Sequence, residues 1–433
     1  MCTGACVVPL ALSCGVPCAA QSIQMPQVEL PVKHSGVATL NMIYTGDANA
    51  DVSGGEQTGT AYLHRIGIIG DLDLQALAGW EGARAHVSVH SIAGTGLSTR
   101  RVGNALTVSG IEAEPALRLF NVWIEQKLGV GATLRLGQFN VDQNFAISST
   151  ASLFVNSTFG WPGSFAVDLP SGGPAYPLAG PGVSLSVAVA RDLMARVAVF
   201  TGAPAGQGGG DPQQRDKHGF NGWQLNGGPF VIGEVQRSAG GDDPAWLVKL
   251  GGWAHFGRFD DQRFDGGGVS LANERTTGVP LRHPGNFGIY AIADARLWHS
   301  DKRSLHGFVR ATWSPADRNA VDLYWDVGFA FTGALRSRPD DIFGLGLAVA
   351  RLSAPLRALQ GDACTIAVVK CHTPNVEAVI EVTYQLQISD RFHVQPNIQY
   401  VVHPAGDLIA EPGTPRDLPG NALILGLRSS FRL

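Results

Sequence analysis

The chain has 433 residues, of which charged residues make up 16%, and a formal net charge of −4. This balance leaves no basic field for nucleic acid and no charge excess to fasten the chain electrostatically to an anionic membrane surface. Glycine, at 55 residues, exceeds its usual share of roughly 7% without a Gly-X-Y period, so it punctuates turns and thins strands in one large unit rather than two or three small domains.

Read in chain order, the N-terminus MCTGACVVPLALSCGVPCAAQS carries an apolar run and a small-residue exit at Cys18-Ala19-Ala20. It reads as a signal peptide over residues 1–20 followed by a short periplasmic segment over 21–34, although no Lys or Arg precedes the run. Beyond it no uncharged apolar stretch reaches the ~20 residues that cross a bilayer as a helix, so any crossing is made by strands.

From residue 35 onward, segments with side chains alternating between apolar and polar recur. They lie near 35–46, 62–78, 83–92, 117–128, 132–141, 183–191, 195–202, 229–237 and 245–258, and again near 286–299, 305–314, 320–334, 341–352, 376–389, 391–402 and 421–433. Alternation gives a strand two unlike faces because successive side chains point opposite ways. In EAVIEVTYQLQI, residues 377–388, the oily face is Ile380, Val382, Tyr384, Leu386 and Ile388, and two carboxylates and two amides lie on the other. Such segments fit either a packed soluble sheet or a lipid-facing cylinder. Connections choose between them: tight ones such as Ser389-Asp390 alternate with long ones near 143–181, 203–228, 259–285 and 353–375. That asymmetry predicts an all-β transmembrane antiparallel barrel of about sixteen strands, with short periplasmic turns and long external loops. Residues 35–433 are read as this single barrel, and no helical period of comparable strength interrupts them. Tyr44, Trp80, Phe256, Trp298, Trp313, Phe331 and Tyr400, near strand ends, suit interfacial girdles, whereas Pro396 removes one ladder donor.

Asp47, Asn49, Asp51 and Ser53 set oxygens at alternate positions as a calcium loop does, but the glycine and terminal glutamate of such a loop are missing, so a metal-free loop is expected. Four of the six cysteines fall in the signal, leaving Cys364 and Cys371, whose spacing matches no common zinc site and favours a loop disulfide in an oxidising compartment. No metal, cofactor or catalytic constellation is legible: there is no HExxH, no GxSxG and no phosphate-cradling loop.

The insertion after the fifth strand contains NSTFGWP at Asn156–Pro162 and LPSGGPAYPLAGPG at Leu169–Gly182. With EQKLGVGATLRLGQFNVDQNF before it and VEAVIEVTYQLQI, VQPNIQYVVHPAG and ALILGLRSSF near the end, this closely resembles the carbohydrate-selective porin family of Gram-negative outer membranes, the OprB type, over most of residues 38–433. The resemblance implies a sixteen-stranded barrel passing mono- and small oligosaccharides, with residues 143–181 as an inward constriction or capping loop. Its motif residues here are Asn156, Phe159, Gly160, Trp161, Pro162, Gly172, Gly173, Pro174 and Tyr176. It further implies contact with outer-membrane lipid, lipopolysaccharide and the barrel assembly machinery. A homo-oligomer is compatible with it. At the C-terminus, where the family ends in an aromatic residue, Leu433 stands with Phe431 two residues before it on the same face.

A path for neutral sugars needs donors, acceptors and an aromatic surface held loosely enough to release the solute. Arg65, Arg84, Glu125, Arg135, Arg296, Arg310, Asp326, Glu381 and Gln385 sit among apolar neighbours on their strands and are expected to line the lumen, with Trp123 and Trp161 available either for stacking or for a structural role. The rival expectation for the charged groups is that they pair with one another and stiffen the wall. Rival functions are a plugged barrel with a scaffold or secretion role, an exported soluble glycan-binding β protein, and an outer-membrane enzyme.

Overall fold

In the computed structural model, which describes residues 36–220, 224–225, 227–239 and 244–433, the alternating segments become sixteen strands. The segments read as signal peptide (1–20) and periplasmic lead (21–34) lie outside the described residues. The strands are β1 Ala38–Gly55, β2 Gly59–Asp73, β3 Ala83–Gly94, β4 Ala116–Leu128, β5 Ala132–Phe139, β6 Gly180–Ala190, β7 Leu193–Thr201 and β8 Pro229–Ser238. They continue as β9 Trp246–Asp265, β10 Pro280–Ser300, β11 Arg303–Trp313, β12 Val321–Thr332, β13 Ile342–Leu352, β14 Val376–Ser389, β15 Phe392–Val402 and β16 Gly420–Arg432. Each pairs antiparallel with its sequence neighbours, and β1 closes on β16 with Asp47 opposite Arg428, so the barrel has no free edge.

The outside is apolar. Ile68, Val87, Leu136, Val197, Leu250, Ile289, Ile380 and Val382 are exposed on the outer wall, while Glu377, Glu381, Thr383 and Gln385 of β14 point inward and are buried. A soluble barrel has the reverse arrangement, which leaves the exported soluble reading without support; lipid is the solvent that makes this outer face favourable. Trp80, Phe256, Trp298, Trp313 and Tyr400 are exposed near strand ends as girdle residues would be. Pro396 faces outward, and the β14–β15 ladder breaks between Thr383–Asn397 and Leu386–Val394 without changing register. Gln395 Nε2 donates to Thr383 Oγ1 at 2.9 Å across that break.

Connections at one end, the turn end, include 129–131, 191–192, 301–302 and 390–391. Those at the other, the loop end, include 95–115, 140–179, 202–228, 353–375 and 403–419. Three local expectations are corrected. Asp47, Asn49, Asp51 and Ser53 lie within β1, so their spacing is strand alternation and not a loop. About half of the connection expected over 259–285 is β9 and β10 prolonged into a hairpin, Arg282 pairing with Asp260; its two faces are both polar, so no apolar face marks it as strand. Residues 354–366 form a helix that buries Leu356, Leu359, Gln360, Ala363 and Cys364, a helical spacing overlooked in favour of the surrounding period of two.

The loop-end half of the bore is filled. Leu97, Val102, Leu106 and Val108 of 95–115 and Leu153, Phe154 and Phe159 of 140–179 pack against Phe308, Tyr324, Val379, Val401 and Ile424 of the wall. Glycines in β13 make room: a Cβ at Gly346 would lie 2.9 Å from the Phe159 ring and 3.0 Å from that of Phe154.

Candidate functional site: the bore of the barrel

Most inward carboxylates serve the inserted loops. A chain segment folded into a barrel brings backbone N–H and C=O groups away from water, and each needs a partner. Glu381 accepts from the N–H groups of Val155 (2.7 Å) and Asn156 (2.8 Å). One turn of the ladder away, Glu377 accepts from Ala105 (3.0 Å) and Leu106 (2.6 Å) of the other loop and from Ala405 (2.6 Å). Asp294 takes Ser148 Oγ at 2.6 Å and the Thr150 amide at 3.2 Å, and Glu234 takes the Ala146 amide at 3.0 Å together with Tyr290 OH. Asp47 is held by both nitrogens of the Arg428 fork at 2.8 Å and accepts from Ser109 Oγ at 2.5 Å.

Carbonyls of the same loops are collected by cations. Arg310, fully buried, pairs with Asp326 and donates to the carbonyls of Ala146 (2.8 Å), Thr158 (2.8 Å), Phe159 (3.1 Å) and Gly160 (3.1 Å). Tyr324 OH completes the knot by donating to Asp326 at 2.8 Å and meeting Thr158. Lys249 Nζ reaches the Ile147 carbonyl at 2.7 Å, and Gln395 and Gln399 reach those of Leu153 (2.7 Å) and Val108 (2.9 Å).

The motif loop is built around its small and fixed residues. Asn156 caps the helix Ser157–Gly160 through Oδ1 and the Thr158 amide, and its Nδ2 donates to Leu106 O and Gln399 Oε1. Phe159 is fully buried against Phe154, with centroids 4.6 Å apart. Pro162 leads into the helix Gly163–Asp168, Gly172 and Gly173 take positive φ where the chain reverses, and the Pro174 carbonyl accepts from Val141. Trp161 packs edge-on to Phe165 at 5.1 Å and donates Nε1 to the Gly172 carbonyl, so its ring is a brace within the loop and not a stacking surface. Tyr176 emerges from the loop beneath the Arg65 guanidinium, 5.1 Å from ring centre to Cζ, and its hydroxyl donates to Ile111 O of the neighbouring loop. Beside it burial pushes the Asp142 carboxyl up to about 6, against the downward pull of Asn140, the Tyr176 amide and Arg65.

Toward the turn end, five strands set a polar row in register, four of its members charged. Asp73, Arg84, Glu125, Arg135 and Ser184 lie opposite one another across β2 to β6. Glu125 receives Arg84 at 2.6 Å and Arg135 at 2.8 Å. One pair further along, Trp123 is stacked on His86 (4.7 Å, 7° between planes), with the Arg135 guanidinium 4.0 Å from its ring centre. His86 Nδ1 meets Asp71 at 2.8 Å.

Of the residues expected to line the lumen, the structure therefore brings Arg84, Trp123, Glu125 and Arg135 together on one stretch of wall, Trp123 buried and the three charged groups partly exposed, and sets Arg65 against Tyr176. Arg296 lies on the inner wall near the turn end. Arg310, Asp326 and Glu381 point inward as expected but are covered, because Arg310 and Glu381 bind loop backbone and Asp326 holds Arg310; Gln385 is covered as well. Sequence reasoning missed the second inserted loop, 95–115, and with it Glu377, Asp47, Arg428, Glu234, Lys249, Asp294 and Tyr324. A signal existed in the inward spacing of Glu377 and Glu381: two carboxylates on one strand face with no cation beside them need donors from elsewhere. Cys364 and Cys371 are joined by a disulfide that ties the end of the 354–366 helix to the following turn. No group of His, Cys, Asp and Glu able to hold a metal occurs among the described residues.

A closed antiparallel barrel of sixteen strands, oily outside and polar within, with loops folded into its bore, is a Gram-negative outer-membrane channel. The sequence profile of the carbohydrate-selective porins, OprB family, matches residues 57–433, and the chain belongs to that family. It is 23% identical over 418 residues to porin B of Pseudomonas aeruginosa, an alignment spanning 89% of this chain and 85% of that one. Its fold is similar to the high-pH structure of Pseudomonas putida OprB, with a TM-score of 0.79, 21% identity, and coverage of 92% of this chain and 94% of that one. The low-pH structure of the same protein aligns at a TM-score of 0.53 and 15% identity, with 92% of each chain covered. The protein is thus an outer-membrane, carbohydrate-selective porin.

Proposed function

We propose that this porin passes mono- and small oligosaccharides of the glucose type by passive diffusion into the periplasm, with no turnover, no cofactor and no energy source. The observation that supports this reading is the division of the bore: inserted loops fill the loop-end half, and the charged row around Glu125 lies toward the turn end with its side chains partly exposed. Arg84, Glu125 and Arg135 hold one another at fixed spacing and still offer unused donors and acceptors to vicinal hydroxyls, a set of contacts that orients a sugar without trapping it. Tyr176 with Arg65 forms the narrow part, and the 140–179 loop acts as the constriction element. Trp123, covered on one face by His86 and on the other by Arg135, positions the arginine rather than stacking on sugar. The apolar belt faces outer-membrane lipid, the loop end faces lipopolysaccharide, and the terminal strand with Phe431 is the segment offered to the assembly machinery; a homo-oligomer fits the same belt.

Planar-bilayer recording of the purified protein, with glucose and longer glucans titrated in, tests this. Stepwise conductance partly blocked by sugars is the expected result. Folded protein without conductance would overturn passive diffusion in favour of a plugged barrel with a scaffold role.

A further inference from the structure

The turn that ends the 354–366 helix carries apolar side chains that the rest of the described chain leaves uncovered. Val368 takes the left-handed conformation there (φ 57°), with its own amide donating to Thr365 O at 3.2 Å and the Val369 amide donating to Cys364 O at 3.0 Å. Glycine is the usual residue at such a helix end, and a β-branched side chain is strained in it. Val368 nevertheless stands 89% exposed, between Ile366 at 44% and Val369 at 50%, and the exposed Lys370 follows. The Cys364–Cys371 bridge closes these residues into one short loop. The helix itself is held to the barrel by its other face, where Leu356, Leu359 and Ala363 are buried.

A short chain of contacts places this loop at the rim. His372, next to Cys371, meets the His403 ring with centroids 5.8 Å apart. The His403 amide donates to Asn421 Oδ1 at 2.9 Å, and Asn421 Nδ2 donates to the Tyr400 hydroxyl at 3.1 Å. Tyr400 is a girdle residue of the loop end, on the same outer wall as the exposed Ile398 and Leu425. The apolar loop therefore stands at the upper edge of the lipid-facing belt and continues it.

We propose that the disulfide-closed loop 364–371 is an anchor in the outer leaflet: Ile366, Val368 and Val369 enter the boundary between acyl chains and head groups of lipopolysaccharide, and Lys370 meets its phosphates. Apolar surface beside a bilayer is stabilised by burial in it, and a cation next to that surface is drawn to the anionic head groups. The strained valine is explained by the same contact, since glycine would relieve the backbone and remove the side chain that reaches lipid. Anchoring here also positions a second external element. Asp362 of the helix receives Arg263 at 2.9 and 3.1 Å and Ser270 Oγ at 2.7 Å, so the hairpin of β9 and β10 is fastened to the same helix. This inference rests on the outward placing of the loop end given above.

The test is photo-crosslinking of the full chain in intact outer membranes, with benzoylphenylalanine replacing Val368 and, as references, Tyr400 in the girdle or the exposed Arg275 between β9 and β10. Adducts are identified by mass and by blotting for lipopolysaccharide. Glycolipid adducts are expected at Val368 and Tyr400 and none at Arg275. Lys370→Glu is expected to lower the Val368 adduct about fivefold, the scale of one interfacial charge; an unchanged yield overturns the phosphate contact. A glycolipid adduct at Tyr400 without one at Val368 overturns the anchor and leaves the orientation intact. Phospholipid in place of glycolipid at Tyr400 overturns the orientation as well. An adduct of Val368 with a second copy or another protein assigns the loop to that contact and overturns the lipid reading. Heat-modifiable migration on gels reports folding of each variant, and Ile366, at a regular helical position, is the second probe site if the turn rejects the substitution at Val368.

Discussion

The two halves of the bore are lined by the same sixteen strands with the same inward polar face, and they use it in opposite ways. At the loop end the inward groups are spent on backbone: Glu381, Glu377 and Arg310 satisfy amides and carbonyls of two inserted loops and see no water. At the turn end Arg84, Glu125 and Arg135 satisfy one another and stay partly open, Arg84 exposing 38% of its side chain and the other two 13% each. The difference teaches that a polar inner wall is not in itself a pore lining. What a side chain does there depends on whether a loop arrives to claim it.

If the comparison is right, the largest effect belongs to the group that binds most loop backbone. Arg310→Ala strands the Asp326 carboxylate and four carbonyls, a loss of about 3–5 kcal/mol for a broken buried pair. The 140–179 loop should then leave its seat, raising single-channel conductance and abolishing glucose block. Unchanged conductance and block would show that packing of Phe154 and Phe159 alone holds the loop. Glu381→Ala comes next: two amides lose their acceptor at about 1–3 kcal/mol each, and noisy, partly opened current levels are expected where the wild type is steady.

A pH series sharpens the same contrast from the other inserted loop. Burial pushes the Glu112 carboxyl up to about 7, although the Ser98 amide and hydroxyl donate to it. A carboxyl raised in the folded state favours the seated loop fully below its ordinary value, and that contribution is lost as pH rises toward about 7. Tryptic cleavage after Arg100, which is exposed, should therefore accelerate between pH 6 and pH 8 beyond the change in trypsin's own rate. Glu112→Gln should remove the excess; a variant that keeps it would locate the titrating group elsewhere.

The turn end should respond more quietly. Trp123→Ala removes the surface on which His86 and Arg135 rest, so the half-blocking glucose concentration should rise about threefold while conductance changes little, as expected for loss of one aromatic cation contact of about 0.5–1 kcal/mol. Loss of steady current in this variant would mean that the two halves are coupled. Smallest of all is Cys364→Ser: the bridge closes only a short segment of the 353–375 connection outside the bore, so conductance and sugar block should match wild type in bilayers.

Much of this architecture is local and was legible without coordinates. A period of two in EAVIEVTYQLQI already separates lipid from bore, and sixteen such segments with connections of alternating length define the barrel, because side-chain direction in a strand depends only on position along it. The motif around Asn156–Pro162 likewise announced an inserted loop. What strands cannot announce is who meets whom inside. Glu381 binds a loop amide 226 positions away and Glu377 one 271 positions away, and nothing in the neighbourhood of either residue encodes that partner. For the same reason the sequence left Trp161 and Arg310 open between lining and structural roles, whereas the structure seats them against loop backbone, and 95–115, with irregularly spaced Leu97, Val102, Leu106 and Val108, gave no period to read as packed chain. Strand number, facing and family were therefore set by the amino-acid order alone; tertiary structure alone decided which inward charges are spent on loops and which stay in water, since that choice is made by long-range closure and by the cost of leaving buried backbone without partners.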